Sequence, residues 1–481
     1  MGKDLRSFLA MLEQRNRGEL LRITRQVDPV YEVSVIQQKL AAAGRYPVLY
    51  FEDVRGSSLP LVTNLFGTYD LLGLALDVVE PKSKADYLAE YLRRENDHKA
   101  VREVPIRTAP VKQIILTGDQ VDLSTLPIAW HAEKDSGRYI VVGGMVMRDP
   151  ETGVINVGMY RHEVRGNRAV LCMFIPAHHA AYIYRRYKEL KRPMEAALFI
   201  GHHPAVCLGM CTREPIEVDE YEVMGGFLDE ALEVVPAETV DLPVPARAEI
   251  VLEGTFDFAK ETLDGPFAEY TGYYGHRALC AWFDVRCITM RRDAIYHDLD
   301  PAHREHNYAA TLGNESAVYK AVKNVVPSVR AVHRPASGCC VYHVYVSISK
   351  RLQGEGKMAG LAALSAVHNI KHVFVVDEDV DIYNEEEVLW AVATRLEADQ
   401  DISIISHCLG ANLDPSAYGE RRFEPGHMTT KVIFDATRPV TLPFSERITP
   451  PKEVWDRIKL EDYIDGWSAR ERATDRPSLA V

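Results

Sequence analysis

At 481 residues, 47% of them hydrophobic, the chain is long enough for two or three domains that each bury a core, which makes a multidomain enzyme the expected kind of molecule. A formal net charge of −13, with acidic residues spread throughout, argues against a nucleic-acid or anionic-membrane partner, since either asks for a basic stripe. The start of the sequence lacks the apolar run of a secretory signal, and no window is apolar for long enough to span a bilayer, so a cytoplasmic enzyme acting on a small molecule is expected. Cys207 and Cys211 lie inside an apolar run and Cys339 and Cys340 are adjacent; neither spacing is a zinc pattern, and reduced core thiols are expected.

Over 1–110, the amphipathic stretches SFLAMLEQ, VSVIQQKLAAAG and KADYLAEYLRRE alternate with the apolar strand PVLYFEDV and the segment LPLVTNLFG, predicting an N-terminal α/β domain. Over 111–315, the segments KQIILTG, YIVVGGMVM, VINVGMYR, AVCLGM, RAEIVLEG and WFDVRCITM read as short strands punctuated by Gly and Pro. They predict an antiparallel sheet or barrel, interrupted by the helix AAYIYRRYKEL, as the cofactor-holding body. The α/β rhythm returns over 316–449 with helix SAVYKAVKNV, strand YHVYVSIS, helix MAGLAALSAVHN, strand HVFVVDED and helix EEEVLWAVATRL. RLQGEGKMAG fits no phosphate-binding fingerprint and reads as a loop, while the acids of DEDVD read as helix caps. Within 450–481, PKEVWDRIKLEDY predicts a short amphipathic helix that packs on a partner subunit, followed by a polar, mobile tail.

Two polar clusters in the middle region carry chemical information. In GVINVGMYRHEV, Asn156 and Arg161 would face opposite sides of a regular strand; Gly158 between them could permit a bulge or twist that turns both toward one site. In ETLDGPFAEYTGYYGH, Asp264 and Glu269 flank the turn dipeptide Gly265-Pro266, which brings two carboxylates back toward each other amid Tyr270, Tyr273 and Tyr274. Paired carboxylates beside an arginine suit proton transfer, one ionised and the other holding a proton. Between them, FIPAHHAAYIYRRYKE places Pro176 near a helix start, with His178 and His179 just inside it, where free N–H groups seat a phosphate. Asn156, a histidine there and Glu220 or Glu222 would form an amide, imidazole and carboxylate set that suits Mn or Mg. Plain structural readings stand beside these: a salt-bridged surface arginine, a solvated acidic loop, core histidines.

Taken together, DPETGVINVGMYR, the AHH at a helix start, GHHPAVCLG, DEYEVMGG, PARAEIVLEG, DGPFAEYTGYYG and KHVFVVDEDVDIYNEEEVLWAVATR resemble the UbiD family of prenylated-FMN-dependent decarboxylases. The resemblance runs from VTNLFGTYDLLGLAL to KVIFDAT. It implies an N-terminal α/β domain, a central split β-barrel that binds flavin, and a C-terminal α/β domain whose terminal helix contributes to a homodimer, in some members assembled into hexamers. It also implies prenylated FMN, Mn2+ and K+ as cofactors, with a flavin prenyltransferase as the cofactor's supplier. Asn156, His179 and Glu220 match the metal ligands, with Glu222 an alternative register; Met159, Arg161, His178 and Lys371 match cofactor-contacting positions. Arg161 and Glu269 match two members of a Glu-Arg-Glu trio, and Asp264 stands where many relatives have Glu. The implied reaction is reversible, non-oxidative decarboxylation of an aromatic or heteroaromatic, including phenolic, acid through a covalent adduct of substrate with the flavin, Glu269 donating the proton. DPAHREHNYAATLG resembles a feature of relatives acting on protocatechuate-like acids, which makes His306 an expected substrate contact, and Tyr270 of the Tyr-rich loop is expected to be another. The competing expectations are a polyprenyl-hydroxybenzoate decarboxylase of quinone biosynthesis and a cofactor-binding protein without turnover.

Overall fold

Local signals set the first element: Asp4 accepts the Ser7 N–H and closes a capping box on the helix Leu5–Arg15, and Asn16 ends that helix in the left-handed region. Leu5, Phe8, Leu9 and Leu12 form its buried stripe. The computed structural model describes residues 2–175, 178–212, 214–411, 413–417 and 428–464. It divides into two compact units, residues 1–317 with 339–341 and 411–423 in one, and 318–338, 342–410 and 424–481 in the other.

The main core of the first unit lies between two of its sheets. Strands Leu20–Ile23, Val48–Phe51 and Leu61–Thr63 form a small mixed sheet, whose fourth strand, Tyr296–His297, arrives from far along the chain and pairs in parallel with Leu61–Thr63. The larger sheet is antiparallel, ordered Tyr139–Ile140, His162–Arg165, Ala169–Cys172, Ala278–Met290, Ile250–Asp264, Met194–Ile200, Gly144–Arg148, Ile155–Met159. Ile114–Thr117 also pairs with Ala278–Met290. The two long central strands shift register between Glu253 and Gly254 and between Asp257 and Thr262, and such bulges add twist and let a sheet curl into a half-barrel. Gly254 is obligatory there, because a Cβ would stand 1.9 Å from the Asp284 carbonyl oxygen. Val33, Leu49, Phe51 and Leu61 of the small sheet and its helix pack in the same core as Met145, Leu198, Leu252 and Phe283 of the half-barrel.

The expected strand AVCLGM is instead the helix Pro204–Met210. Pro204 stands in its first turn and the His203 ring accepts the Ala205 N–H at 3.3 Å. All seven residues are buried, so the run is apolar on every side and its periodicity distinguishes nothing.

In the second unit, His343–Ile348, His372–Asp377 and Met428–Ala436 are parallel, flanked by antiparallel Val329–His333 and Ile402–Leu409. The segment RLQGEGKMAG, expected to be a loop, opens the helix Glu355–Ala366, with Gly354 at its N-cap. The acids of DEDVD do not cap the following helix: Asp377 and Asp379 both bind Arg395, Glu378 pairs with Arg330, Asp381 accepts the Tyr383 N–H, and Asn384 caps the helix Glu385–Arg395. The carboxy-terminal helix is short, Lys452–Arg457, and the expected mobile tail lies outside the described residues from 465 onward. All eight cysteines are free thiols, and among the described residues no helix is long and apolar enough to cross a membrane.

Candidate active site

Arg161 organises the site. It follows the end of strand Ile155–Met159 and precedes strand His162–Arg165. The expected bulge at Gly158 is absent: Gly144–Arg148 pairs with Ile155–Met159 without a register shift, and the chain leaves the strand after Met159. That break, not a bulge, frees Arg161 from the strand's alternation and leaves Asn156 on the paired segment. Gly158 still has a packing role, since a Cβ there would lie 2.2 Å from the Tyr160 hydroxyl.

The Arg161 guanidinium is held by both carboxylates of the Gly265-Pro266 turn. Its Nε donates to Asp264 Oδ2 at 2.9 Å and its Nη2 to Asp264 Oδ1 at 3.1 Å, a bidentate fork, while Nη1 donates to Glu269 Oε1. The Phe267 ring lies 4.9 Å below the guanidinium carbon. Both carboxylates are buried and the Arg161 side chain is 9% exposed. Burial alone would lower Arg161, but Glu269 and Asp264 together hold it above its ordinary value. Burial pushes the Glu269 carboxyl up to about 7, against the pull of Arg161 and with the push of Asp264 and Asp135. At neutral pH this carboxyl is divided between its acid and its conjugate base, the condition a general acid needs.

Two residues that sequence reasoning missed shape the array. A Cβ on Gly275 would stand 2.8 Å from Glu269 Oε1, so glycine leaves the carboxylate its place. Asp135 accepts the N–H of Ala268, the residue before Glu269, at 2.8 Å. A closely packed glycine and an aspartate more than a hundred positions from the turn give no sequence-local signal.

The expected metal ligands lie around strand Ile155–Met159. The helices His179–Leu190 and Glu220–Leu228 both pack against this strand, and His179 and Glu220 are their first residues. Glu220 accepts the Val157 N–H, next in sequence to Asn156. Burial pushes Glu220 up to about 8, and the Asn156 Oδ1 is buried with no partner among the described residues. A buried amide oxygen without a donor beside a buried carboxylate that takes a single N–H is an arrangement a hard divalent cation satisfies, so the donor set fits one. Among the described residues there is no group of three or more His, Cys, Asp and Glu that could hold a metal; the expected set relies on an amide for its third ligand. Glu222 lies one helical step away, and its backbone carbonyl accepts the Lys99 N–H. His178 is the exposed N-cap of its helix, Pro176 lies outside the described residues, and Met159 is half-buried opposite Gly144.

His306 and Tyr270 meet edge to face, ring centroids 6.2 Å apart, with His306 Nδ1 2.7 Å from the Pro301 carbonyl oxygen. Burial lowers His306 below its ordinary value. On the same helix, Arg304 lies over Tyr46 at 3.9 Å and Tyr308 at 5.0 Å. Lys371 belongs to the second unit, where its Nζ stands 5.7 Å from the Tyr342 ring centroid.

A curled antiparallel half-barrel that buries an arginine between two carboxylates, one poised to hold a proton near neutrality, is the framework of a carboxy-lyase. Family models agree along the chain: residues 11–92 match the N-terminal domain, 102–303 the Rift-related domain and 307–436 the C-terminal domain of 3-octaprenyl-4-hydroxybenzoate carboxy-lyase. The chain belongs to the UbiD family of decarboxylases. It is 35% identical over 415 residues to anhydromevalonate phosphate decarboxylase of Methanothermobacter thermautotrophicus, covering 85% of this chain and 93% of that protein. It is 33% identical over 477 residues to phenolic acid decarboxylase of Sedimentibacter hydroxybenzoicus, covering 96% and 95%. Among solved structures, the UbiD-class enzyme HmfF from Pelotomaculum thermopropionicum in complex with FMN superposes with a TM-score of 0.89 at 37% identity, covering 96% of this chain and 100% of that one. An evolved dimeric form of that enzyme in complex with prFMN superposes with a TM-score of 0.85 at 35% identity, with the same coverage.

Proposed function

We propose that this enzyme catalyses the reversible, non-oxidative release of CO2 from an aromatic or heteroaromatic carboxylic acid, phenolic acids included, with Glu269 as proton donor. The observation that carries the reading is the buried Asp264, Arg161 and Glu269 array, in which one carboxyl retains a proton near neutral pH beside a fixed cation. Prenylated FMN, when bound, would supply the electron sink that side chains lack for decarboxylation at an sp2 carbon. Asn156, His179 and Glu220 would hold Mn2+, K+ would accompany it, and Met159 and His178 would line the cofactor. Arg161 would draw the substrate carboxylate into a site where burial strengthens the attraction, and its fork to Asp264 fixes the plane in which it does so. Once CO2 has left, the Glu269 proton passes to the carbon that carried the carboxylate, and solvent restores it. Run backward, Glu269 takes that proton and CO2 adds, so high bicarbonate should drive carboxylation.

The enzyme would act in the cytoplasm as a homodimer or a hexamer, supplied with cofactor by a flavin prenyltransferase. Support for assembly comes from apolar side chains after the last strand of the second unit, Ile448 at 97% exposure and Leu442 and Trp455 beside it in sequence, which a second copy would cover.

One observation favours a wider substrate class. The Arg304 Nε is buried with no acceptor among the described residues, and its Nη2 reaches only the Tyr308 hydroxyl, at 3.2 Å. A cation in that state suits a second anionic group on an unsaturated acid, as on the phosphate ester that the Methanothermobacter relative is named for. The test is anaerobic CO2 release from phenolic, furanoic, dicarboxylic and phosphorylated unsaturated acids by protein co-expressed with the prenyltransferase and given Mn2+ and K+. Release from monoanionic aromatic acids supports the first reading. Release confined to acids with two anionic groups, with KM raised at least tenfold by Arg304→Gln, supports the second. Silence across the panel with the flavin spectroscopically bound refutes both.

A further inference from the structure

The turn that carries the two site carboxylates is gripped from outside. The segment 132–139, just ahead of the half-barrel, supplies three holds. Asp135, 4% exposed, accepts the Ala132 N–H at 2.9 Å with one oxygen and the Ala268 N–H at 2.8 Å with the other. The Ser136 N–H donates to the Pro266 carbonyl at 3.0 Å. The Tyr139 hydroxyl accepts the Gly265 N–H at 3.1 Å and lies 2.8 Å from Ser136 Oγ. Glu163 accepts the same Gly265 N–H at 3.3 Å from the neighbouring strand. Of these holds, that of Asp135 is made to the residue directly before Glu269, and it brings a negative charge with it.

The charged groups facing Glu269 are Arg161 and Asp264 from the sheet and Asp135 from this segment. Asp135 in turn interacts with the charges of His131 and Arg161, and the His131 Nε2 lies 3.0 Å from Asp298. Burial disfavours the charged imidazole, but Asp298 holds it up to about 9; burial likewise raises Asp135, and the charges of His131 and Arg161 work against that rise.

We propose that Asp135 is a positioning residue that fixes the backbone of Glu269 through Ala268 and, by its charge, sets how strongly Glu269 keeps its proton. A neutral side chain there would leave Arg161 less opposed, and Glu269 would ionise at lower pH. The inference rests on Glu269 as proton donor for its consequence in catalysis, but not for its test. The Glu269 carboxyl is followed by infrared titration of the cofactor-free protein, its protonated-carboxyl band identified by its loss in Glu269→Gln. In the wild type it should titrate near neutral pH. In Asp135→Asn it should titrate lower by about one pH unit, and Asp135→Glu, which keeps the charge, should return it toward the wild-type value. If Asp135→Asn does not fold, Asp135→Ser removes the charge while leaving room for water on both amides. An unchanged titration in a folded, charge-free variant overturns the proposal, as does an Asp135→Glu protein that titrates like the Asn variant. In the loaded enzyme the alkaline limit of kcat/KM should move down by the same amount. A shifted band with an unmoved rate profile leaves Asp135 in place and removes Glu269 from the role of donor.

Discussion

Replacing Gly275 by alanine tests the site at one oxygen atom. Gly275 pairs with Phe267 across the short ribbon that carries Glu269 out of the turn, and its backbone is outside the left-handed region, so an alanine meets no conformational penalty. The added Cβ would stand 2.8 Å from Glu269 Oε1 and 2.9 Å from its Cγ, whereas ordinary contact begins near 3.4 Å, so the carboxylate must retreat by about 0.6 Å. Oε1 is the oxygen bonded to Arg161 Nη1, and the retreat breaks or skews that bond. Catalytic groups tolerate displacements of roughly 0.5 Å, and a misplacement of about 1 Å costs roughly a hundredfold in rate. We expect kcat to fall by about ten- to a hundredfold, with KM changed less. The overpacking should cost about 1–3 kcal/mol, leaving a folded protein. Single-turnover CO2 release and a denaturant melt of the same sample separate the two effects. A variant with kcat within twofold of wild type would refute the claim that the position of Oε1 matters.

Glu269→Gln should lower CO2 release by about a hundred- to ten-thousandfold while the flavin spectrum of the loaded protein is kept; loss of the bound cofactor along with activity would mean that Glu269 serves binding. Asp264→Asn leaves a buried guanidinium with one carboxylate, which should cost about 3–5 kcal/mol in denaturant unfolding. It also removes one of the charges that raise Glu269, so residual activity should fail at lower pH than in the wild type, read from kcat/KM against pH. His162 is fully buried, with its Nε2 unpartnered among the described residues, and burial lowers it from 6.5 to about 4. Its folded value is depressed, so its contribution to stability is present above pH 6.5 and is lost as pH falls toward 4. His162→Met should make the loss of stability over that window shallower by about 1.4 kcal/mol per pH unit, measured from denaturant midpoints; an unchanged slope would place the proton elsewhere.

What was legible in the sequence followed the range of the signals. Asp264 and Glu269 are joined by a turn whose Gly265 has a φ of 76°, and a glycine in such a turn can be read from a few residues; their convergence was expected and is found. The Gly- and Pro-punctuated strands of the middle region likewise announced an antiparallel sheet. Pairings that depend on distant segments left no such mark. Tyr296–His297 completes a sheet begun at Leu20, because its partner Leu61–Thr63 presents a free edge, and nothing near Tyr296 encodes that edge. The run AVCLGM misled because a segment buried on all sides loses the contrast that separates period 2 from period 3.6. Asn156 and Arg161 were expected to turn toward one site through a bulge or twist at Gly158; the strand keeps its register and ends between them instead.

The length of the acid at 264 fits where its strand ends. Asp264 is the last residue of strand Ile250–Asp264, paired with Ala278, and its Oδ1 also takes the Ala278 N–H at 3.3 Å. The carboxylate is thus tied to its own sheet edge, and Arg161 reaches across to it with two donors, Nε and Nη2, at 2.9 and 3.1 Å. A two-point bond fixes the plane of the guanidinium as a single bond would not, and that plane aims Nη1 at Glu269. Orientation is the service Asp264 performs, and it does not depend on reach. A longer acid in this fully buried place would keep its hold on Ala278 only by folding back, or would keep its fork only by driving the guanidinium toward Glu269. The shorter residue therefore matches the distance this backbone leaves between sheet edge and arginine, and the proton-holding carboxyl at 269 stays where a neighbouring glycine has made room for it.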